Sequence, residues 1–382
     1  MRMKRLFVVI GLLALCAGTF AQENGRGRIR DFGIEPGVFK PGTWNAITDV
    51  PGVKVGQVTL IEGSDIRTGV TAIVPHDGNL FRKKCPAAVY VGNGFGKLAG
   101  VTQIRELGNI ETPIVLTNTL SVAQGIEGII SYTLAQKGNE NVRSVNAVVG
   151  ETNDAGLNDI RGRHVKADHV VKAILSAQSG PVEEGCVGAG TGTICFGWKG
   201  GIGTSSRVLP ADLGGYTVGV LVQTNYGGIL EIEGAPVGRR LGQYSFKKSV
   251  ENPDYLLNPD GSCMMVVITD APLDARNLER MAKRAMMGLA KTGGIASNGS
   301  GDYVIAVSVN PENLIDENTD KYYPTLLHND AMSPLFEATI EATAEALWNS
   351  LFMATDMTGR GGVTIEALPI ESALQVWRQG AR

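Results

Sequence analysis

Gly261-Ser262-Cys263-Met264-Met265-Val266-Val267-Ile268 joins a turn to an apolar run, and the reading of the whole chain works outward from that junction. Upstream, Glu251 to Gly261 is rich in proline, asparagine and aspartate, the composition of an exposed loop. Downstream, six apolar residues in a row predict a strand covered on both faces. Backbone scission before Ser262 would make it a new N-terminus, holding a hydroxyl and an α-amine whose ordinary pKa is about 7.7–8.0. Such an amine can act as general base near neutral pH, so no catalytic histidine is required. The same residues also read as an ordinary hairpin-type turn.

The segment after Ser262 has a clear order. A strand over Cys263–Thr269 leads to a helix over Ala275–Thr292, where Leu278, Met281, Ala282, Ala285 and Leu289 recur at helical spacing. Asp274 is its expected N-cap and Gly293-Gly294 its stop. A second strand follows at Tyr303–Val309, and a last helix starts at Ser333-Pro334, read as an N-cap with proline in the first turn. Strands joined by one helical crossover are parallel, so their starts share one sheet edge. Ser262 and the pair Ser300 and Asp302 are therefore expected to meet.

The earlier segment alternates short strands (71–74, 87–91, 114–117, 145–149, 216–223) with helices at 121–136 and 168–176. Glu151 and Asn153 follow the strand ending at Val149, in a loop crowded with carboxylates and amides. Asn225 lies at another strand end, suited to a fixed amide donor or to a turn. The glycine-rich turns Gly92–Lys97 and Gly188–Thr193 match neither phosphate-binding fingerprint, and close backbone packing explains them better. The four histidines form no metalloprotease motif, and Gly-x-Ser-x-Gly is absent. His164 and His169 read as surface residues.

Met1-Arg2-Met3-Lys4-Arg5, the apolar run from Leu6 to Leu15 and Thr19-Phe20-Ala21 have the layout of a secretory signal cut after Ala21. Cys16 would suit a lipoprotein, but the bulky Leu15 before it argues otherwise. Loss of Arg2, Lys4 and Arg5 moves the formal charge from −3 to −6. An acidic chain without basic runs argues against nucleic acid and anionic membrane surfaces as partners. Residues 22–42 are polar and expected to wrap the surface. Cys85, Cys186, Cys195 and Cys263 have no metal-knuckle spacing; Cys186 and Cys195 could pair, but free thiols are the expectation.

Together these segments resemble the L-aminopeptidase/D-esterase family, which includes the β-peptidyl aminopeptidases. Ile47–Val53, Gly92–Gly96, Glu151–His164, Gly188–Arg207, Asn225, Gly261–Pro272 and Ser297–Asp302 match in order along nearly the whole chain. The resemblance implies an α/β protein: an αββα sandwich like the N-terminal nucleophile hydrolases, one large layered domain cut into two associated chains. Those chains would be 22–261 and 262–382, assembled as a homo-tetramer of such pairs, with no cofactor and no metal. Ser262 matches the nucleophile, Ser300 its supporting hydroxyl and Asp302 an acid that is often glutamate. Glu151 matches the carboxylate that holds a substrate's ammonium, and Asn225 an oxyanion donor. Where family members have tyrosine after Glu-Thr, this chain has Asn153, so a phenolic donor is replaced or lost. The implied activity is release of N-terminal residues from short peptides, amides or esters with a free amine. Glycine at 261 suits attack on its carbonyl, because a strained backbone costs it little and no Cβ blocks the approach. Alternative readings are a self-cleaving acyltransferase of the ornithine acetyltransferase type, and a non-catalytic exported binding protein.

Overall fold

Cys263 to Ile268 form the middle of a strand in which every side chain is 1% exposed or less, and successive residues face two different cores. Cys263, Met265 and Val267 pack toward the helices Ala275–Lys291 and Ser333–Phe352, whereas Met264, Val266 and Ile268 pack toward a second sheet. That period-two alternation between two apolar layers is what a six-residue apolar run encodes. Each fully buried Met, Val or Ile contributes roughly 1.5–3 kcal/mol, so this strand anchors the sandwich. The computed structural model describes residues 25–251 and 260–380; the expected signal segment and residues 252–259 of the expected loop lie outside them.

The smaller sheet has the order β1 (Lys54–Glu62), β2 (Ile66–Val74), β5 (Ile114–Asn118) and β6 (Val148–Thr152). The larger runs β13 (Ile315–Asp316), β3 (Lys83–Gly94), β12 (Gly299–Ser308), β11 (Asp260–Thr269), β10 (Thr217–Asn225) and β9 (Ile202–Val208), with β4 (Asn109–Ile110) also on β3. A small hairpin, β7 (Ile194–Cys195) with β8 (Trp198–Lys199), stands apart. Helices Val122–Leu134 and Ala167–Leu175 cover the smaller sheet, giving four layers in the order αββα. As expected, β11 and β12 are parallel neighbours, with Ser262 opposite Gly301.

Several local expectations are corrected. Ser333 is the first helical residue rather than a side-chain cap, and Met332 precedes it without a capping bond. Asp274 does cap its helix, accepting from Asn277 N at 2.8 Å. The strand expected at 145–149 runs instead from Val148 to Thr152, so Glu151 lies inside a strand and not in the loop beyond it. The arm before residue 42 is tied down: Ile29 and Ile34 are buried, Arg28 pairs with Glu184 and Arg30 with Glu345. Most of the arm stays at the surface as expected, with Val38 82% exposed, and the two isoleucines anchor it.

Candidate active site

The parallel and antiparallel ladders beside β11 decide the geometry. Asn225 of β10 lies directly opposite Ser262, and Gly301 of β12 lies on its other side. Ser300 is abreast of Gly261, and Asp302 abreast of Cys263. Side chains on one strand alternate between faces. Ser262 therefore shares the inter-sheet face with Met264, while Ser300 and Asp302 share the helix-side face with Cys263. The expected meeting occurs, but around the backbone of Ser262 rather than at its hydroxyl.

At Gly261 a larger residue would be crowded. A Cβ on it would stand 3.0 Å from Tyr226 Cα and 3.3 Å from Ser300 Oγ. Its φ is not in the left-handed region, so the strained backbone expected there is absent and only the steric reason holds. The Ser262 hydroxyl donates to the Gly261 carbonyl oxygen at 2.5 Å.

Ser300 Oγ donates to Asp302 Oδ1 at 2.8 Å, and Asp302 Oδ2 is a buried oxygen with no hydrogen-bond partner among the described residues. Burial raises the Asp302 carboxyl to about 6, only partly offset by the Ser300 hydroxyl and the Cys263 backbone. Asn225 Oδ1 accepts from Ile194 N at 2.9 Å, which orients the amide and leaves its NH₂ group without an acceptor among the described residues.

Glu151 comes from the other sheet. Its Oε1 accepts from Lys97 N at 2.9 Å, and its Oε2 accepts from the Thr119 hydroxyl. The carboxylate is nearly fully buried, and desolvation pushes its pKa up against those bonds and the Lys97 charge. Asn153 is exposed, with Oδ1 accepting from Ala155 N at 3.0 Å. Ser262, Asn225, Glu151 and Asn153 all line one cavity of about 680 Å³. Its lining includes the aromatic residues Phe95, Phe196 and Tyr226 and residues 242–248. Phe196 packs edge-on against Tyr226 with centroids 4.9 Å apart.

Three contributors went unread in the sequence. Lys97 ends the Gly92–Lys97 turn, where Gly96 fits because a Cβ would crowd Tyr303 and the Glu151 carboxylate; that turn was the available signal. Thr119 and Phe196 had none, since only the pairing of strands brings them in. Outside the cavity, Cys186 and Cys195 are both free thiols. Among the described residues no His/Cys/Asp/Glu group is arranged to hold a metal ion, and no helix is long and apolar enough to cross a membrane.

A serine and an unpartnered amide at one sheet edge, facing a buried carboxylate, can perform acyl transfer on an amine-bearing substrate. Comparison with known proteins agrees. Residues 45–365 match peptidase family S58. The β-peptidyl aminopeptidase BapA of Sphingosinicella microcystinivorans is 40% identical, covering 95% of this chain and 93% of that protein. A Burkholderia sp. β-aminopeptidase structure superposes with TM-score 0.84 at 41% identity, over 92% of this chain and 99% of the other. The L-aminopeptidase D-Ala-esterase/amidase of Ochrobactrum anthropi, described as a variant of the Ntn hydrolase fold, gives TM-score 0.84 at 33% identity, over 93% and 99%. The chain therefore belongs to peptidase family S58, as a serine aminopeptidase of the N-terminal nucleophile type.

Proposed function

We propose that the chain is an exported precursor that cuts itself between Gly261 and Ser262, then removes N-terminal residues from short peptides, amides or esters. In the first event the Ser262 hydroxyl adds to the Gly261 carbonyl carbon, the bond from that carbon to Ser262 nitrogen breaks, and the nitrogen takes the hydroxyl proton. Water opens the resulting ester, leaving residues 22–261 and 262–382 as partners in one domain. In turnover the Ser262 oxygen attacks the substrate carbonyl while its own amine accepts the proton and passes it to the leaving amine. Water then hydrolyses the acyl-enzyme.

Asn225 holds the developing oxyanion, with Asn153 contributing an amide where relatives of this type would place a phenol. Ser300 and Asp302 act at the new amine, because they flank the Ser262 backbone; the unpartnered Asp302 Oδ2 offers an acceptor for that ammonium. Glu151 takes the substrate's ammonium through a charge-assisted hydrogen bond. The names of the BapA relatives and of the Burkholderia enzyme support acceptance of β-residues, whose amine lies one carbon further from the scissile carbonyl. The working form is read as a homo-tetramer of processed pairs.

The observation carrying this reading is the register Asn225–Ser262–Gly301, flanked by Ser300 and Asp302 and facing Glu151 across one cavity. Intact mass and Edman sequencing of the purified, active protein test it. The expected result is two polypeptides, one beginning Ser-Cys-Met-Met; full activity in an undivided chain overturns it.

A further inference from the structure

The carboxylate proposed to take the substrate's ammonium has a lysine for a neighbour. Lys97 lines the same cavity as Glu151 and Ser262, its side chain is exposed, and its own backbone N–H is bonded to the Glu151 carboxylate. Among the described residues its Nζ makes no hydrogen bond, ion pair or ring contact. Its charge is nonetheless felt at Glu151, where it counters the upward push of burial. Glu151 is the one carboxylate among the described lining residues.

A substrate that brings only an ammonium to Glu151 adds a second positive charge beside that of Lys97, an unfavourable pair. One that carries a carboxylate on the amine-bearing carbon satisfies both: the ammonium meets Glu151 and the carboxylate meets Lys97. In an ordinary α-linked residue that carbon carries the scissile carbonyl, so no carboxylate fits there. In a β-linked aspartyl residue it carries a free carboxylate, and the scissile amide lies one methylene away. Resting on the aminopeptidase reading above, we infer that Lys97 makes β-aspartyl (isoaspartyl) peptides a preferred substrate class of this enzyme.

The hydrolysis balances as any other here. Ser262 Oγ bonds to the β-carbonyl carbon, the amide C–N bond breaks, and the departing amine takes the proton. Water then releases aspartate.

The test compares isoaspartyl-leucine with β-alanyl-leucine, which has the same β-aminoacyl skeleton without the carboxylate. The ratio of their kcat/KM values is measured in the parent enzyme, Lys97→Met and Lys97→Arg, each first checked on a gel for scission at Gly261. A charge-assisted hydrogen bond is worth about tenfold to hundredfold. The expected ratio therefore exceeds about ten in the parent, falls to about one in Lys97→Met, and recovers in Lys97→Arg. A parent ratio at or below one, or a ratio that survives Lys97→Met, overturns the assignment of Lys97. Failure of the split parent enzyme on β-alanyl-leucine as well overturns the β-aminopeptidase reading itself, and so is distinguishable.

Discussion

The two sheets divide the cavity's work unequally. The larger supplies Ser262, Asn225, Ser300 and Asp302 from three adjacent strands, all within a few residues of one register line. The smaller supplies Glu151, held by Thr119 of its own layer and by the Gly92–Lys97 turn. Groups on neighbouring hydrogen-bonded strands keep fixed mutual positions, which suits bond making. On the proposed reading, the opposing sheet across the cavity grips what enters. Substitutions on the larger sheet should therefore lower turnover for every substrate, and those on the smaller sheet should act through substrate identity.

The strongest way to break this division is Ser262→Ala, which should abolish both scission and hydrolysis; two bands on a denaturing gel would refute the nucleophile. Next, Asn225→Ala should lower kcat by about 10²–10³, the worth of one oxyanion donor. That loss should be equal for amine-bearing and amine-free esters, and a loss confined to KM would move Asn225 out of the role. Glu151→Gln should cost about 10–100-fold in kcat/KM on aminoacyl anilides, with little change for an ester lacking the amine. Equal losses on both would erase the contrast between the sheets.

A smaller effect concerns pH. The Asp302 carboxyl, raised to about 6 by burial, is protonated below that value. The Ser262 amine must be neutral to act as base, so kcat/KM already falls as pH drops below its ordinary range of about 7.7–8.0. If the Asp302 charge supports that amine, the fall steepens below about pH 6, by up to about tenfold more between pH 7 and pH 5, and Asp302→Asn should remove the added steepness while lowering the plateau. An unchanged acid limb in Asp302→Asn would assign it to another group, such as Glu151, which burial also raises.

Much of the larger sheet was legible because its signals are local. The apolar run after Ser262, the Asp274 cap and the 3.6-residue apolar recurrence along Ala275–Lys291 each sit within one turn or one strand. The parallel pairing followed from a single crossover. The smaller sheet was harder: the strand carrying Glu151 was placed a few residues early, because Gly150-Glu151-Thr152 is not apolar in sequence although the fold buries it. Thr119 carries no signal until β5 lies beside β6 with Thr117 opposite Glu151.

Sequence alone determined that an apolar run follows a serine preceded by glycine, and which side chains were available for acyl transfer, because those are properties of short contiguous segments; the strand itself starts earlier, at Asp260. Tertiary structure decided that Ser300 and Asp302 face the backbone and not the hydroxyl of Ser262, and that Lys97 shares a cavity with Glu151. Strand parity and the packing of one sheet on another are set by contacts between residues far apart in the chain, and no local pattern encodes them.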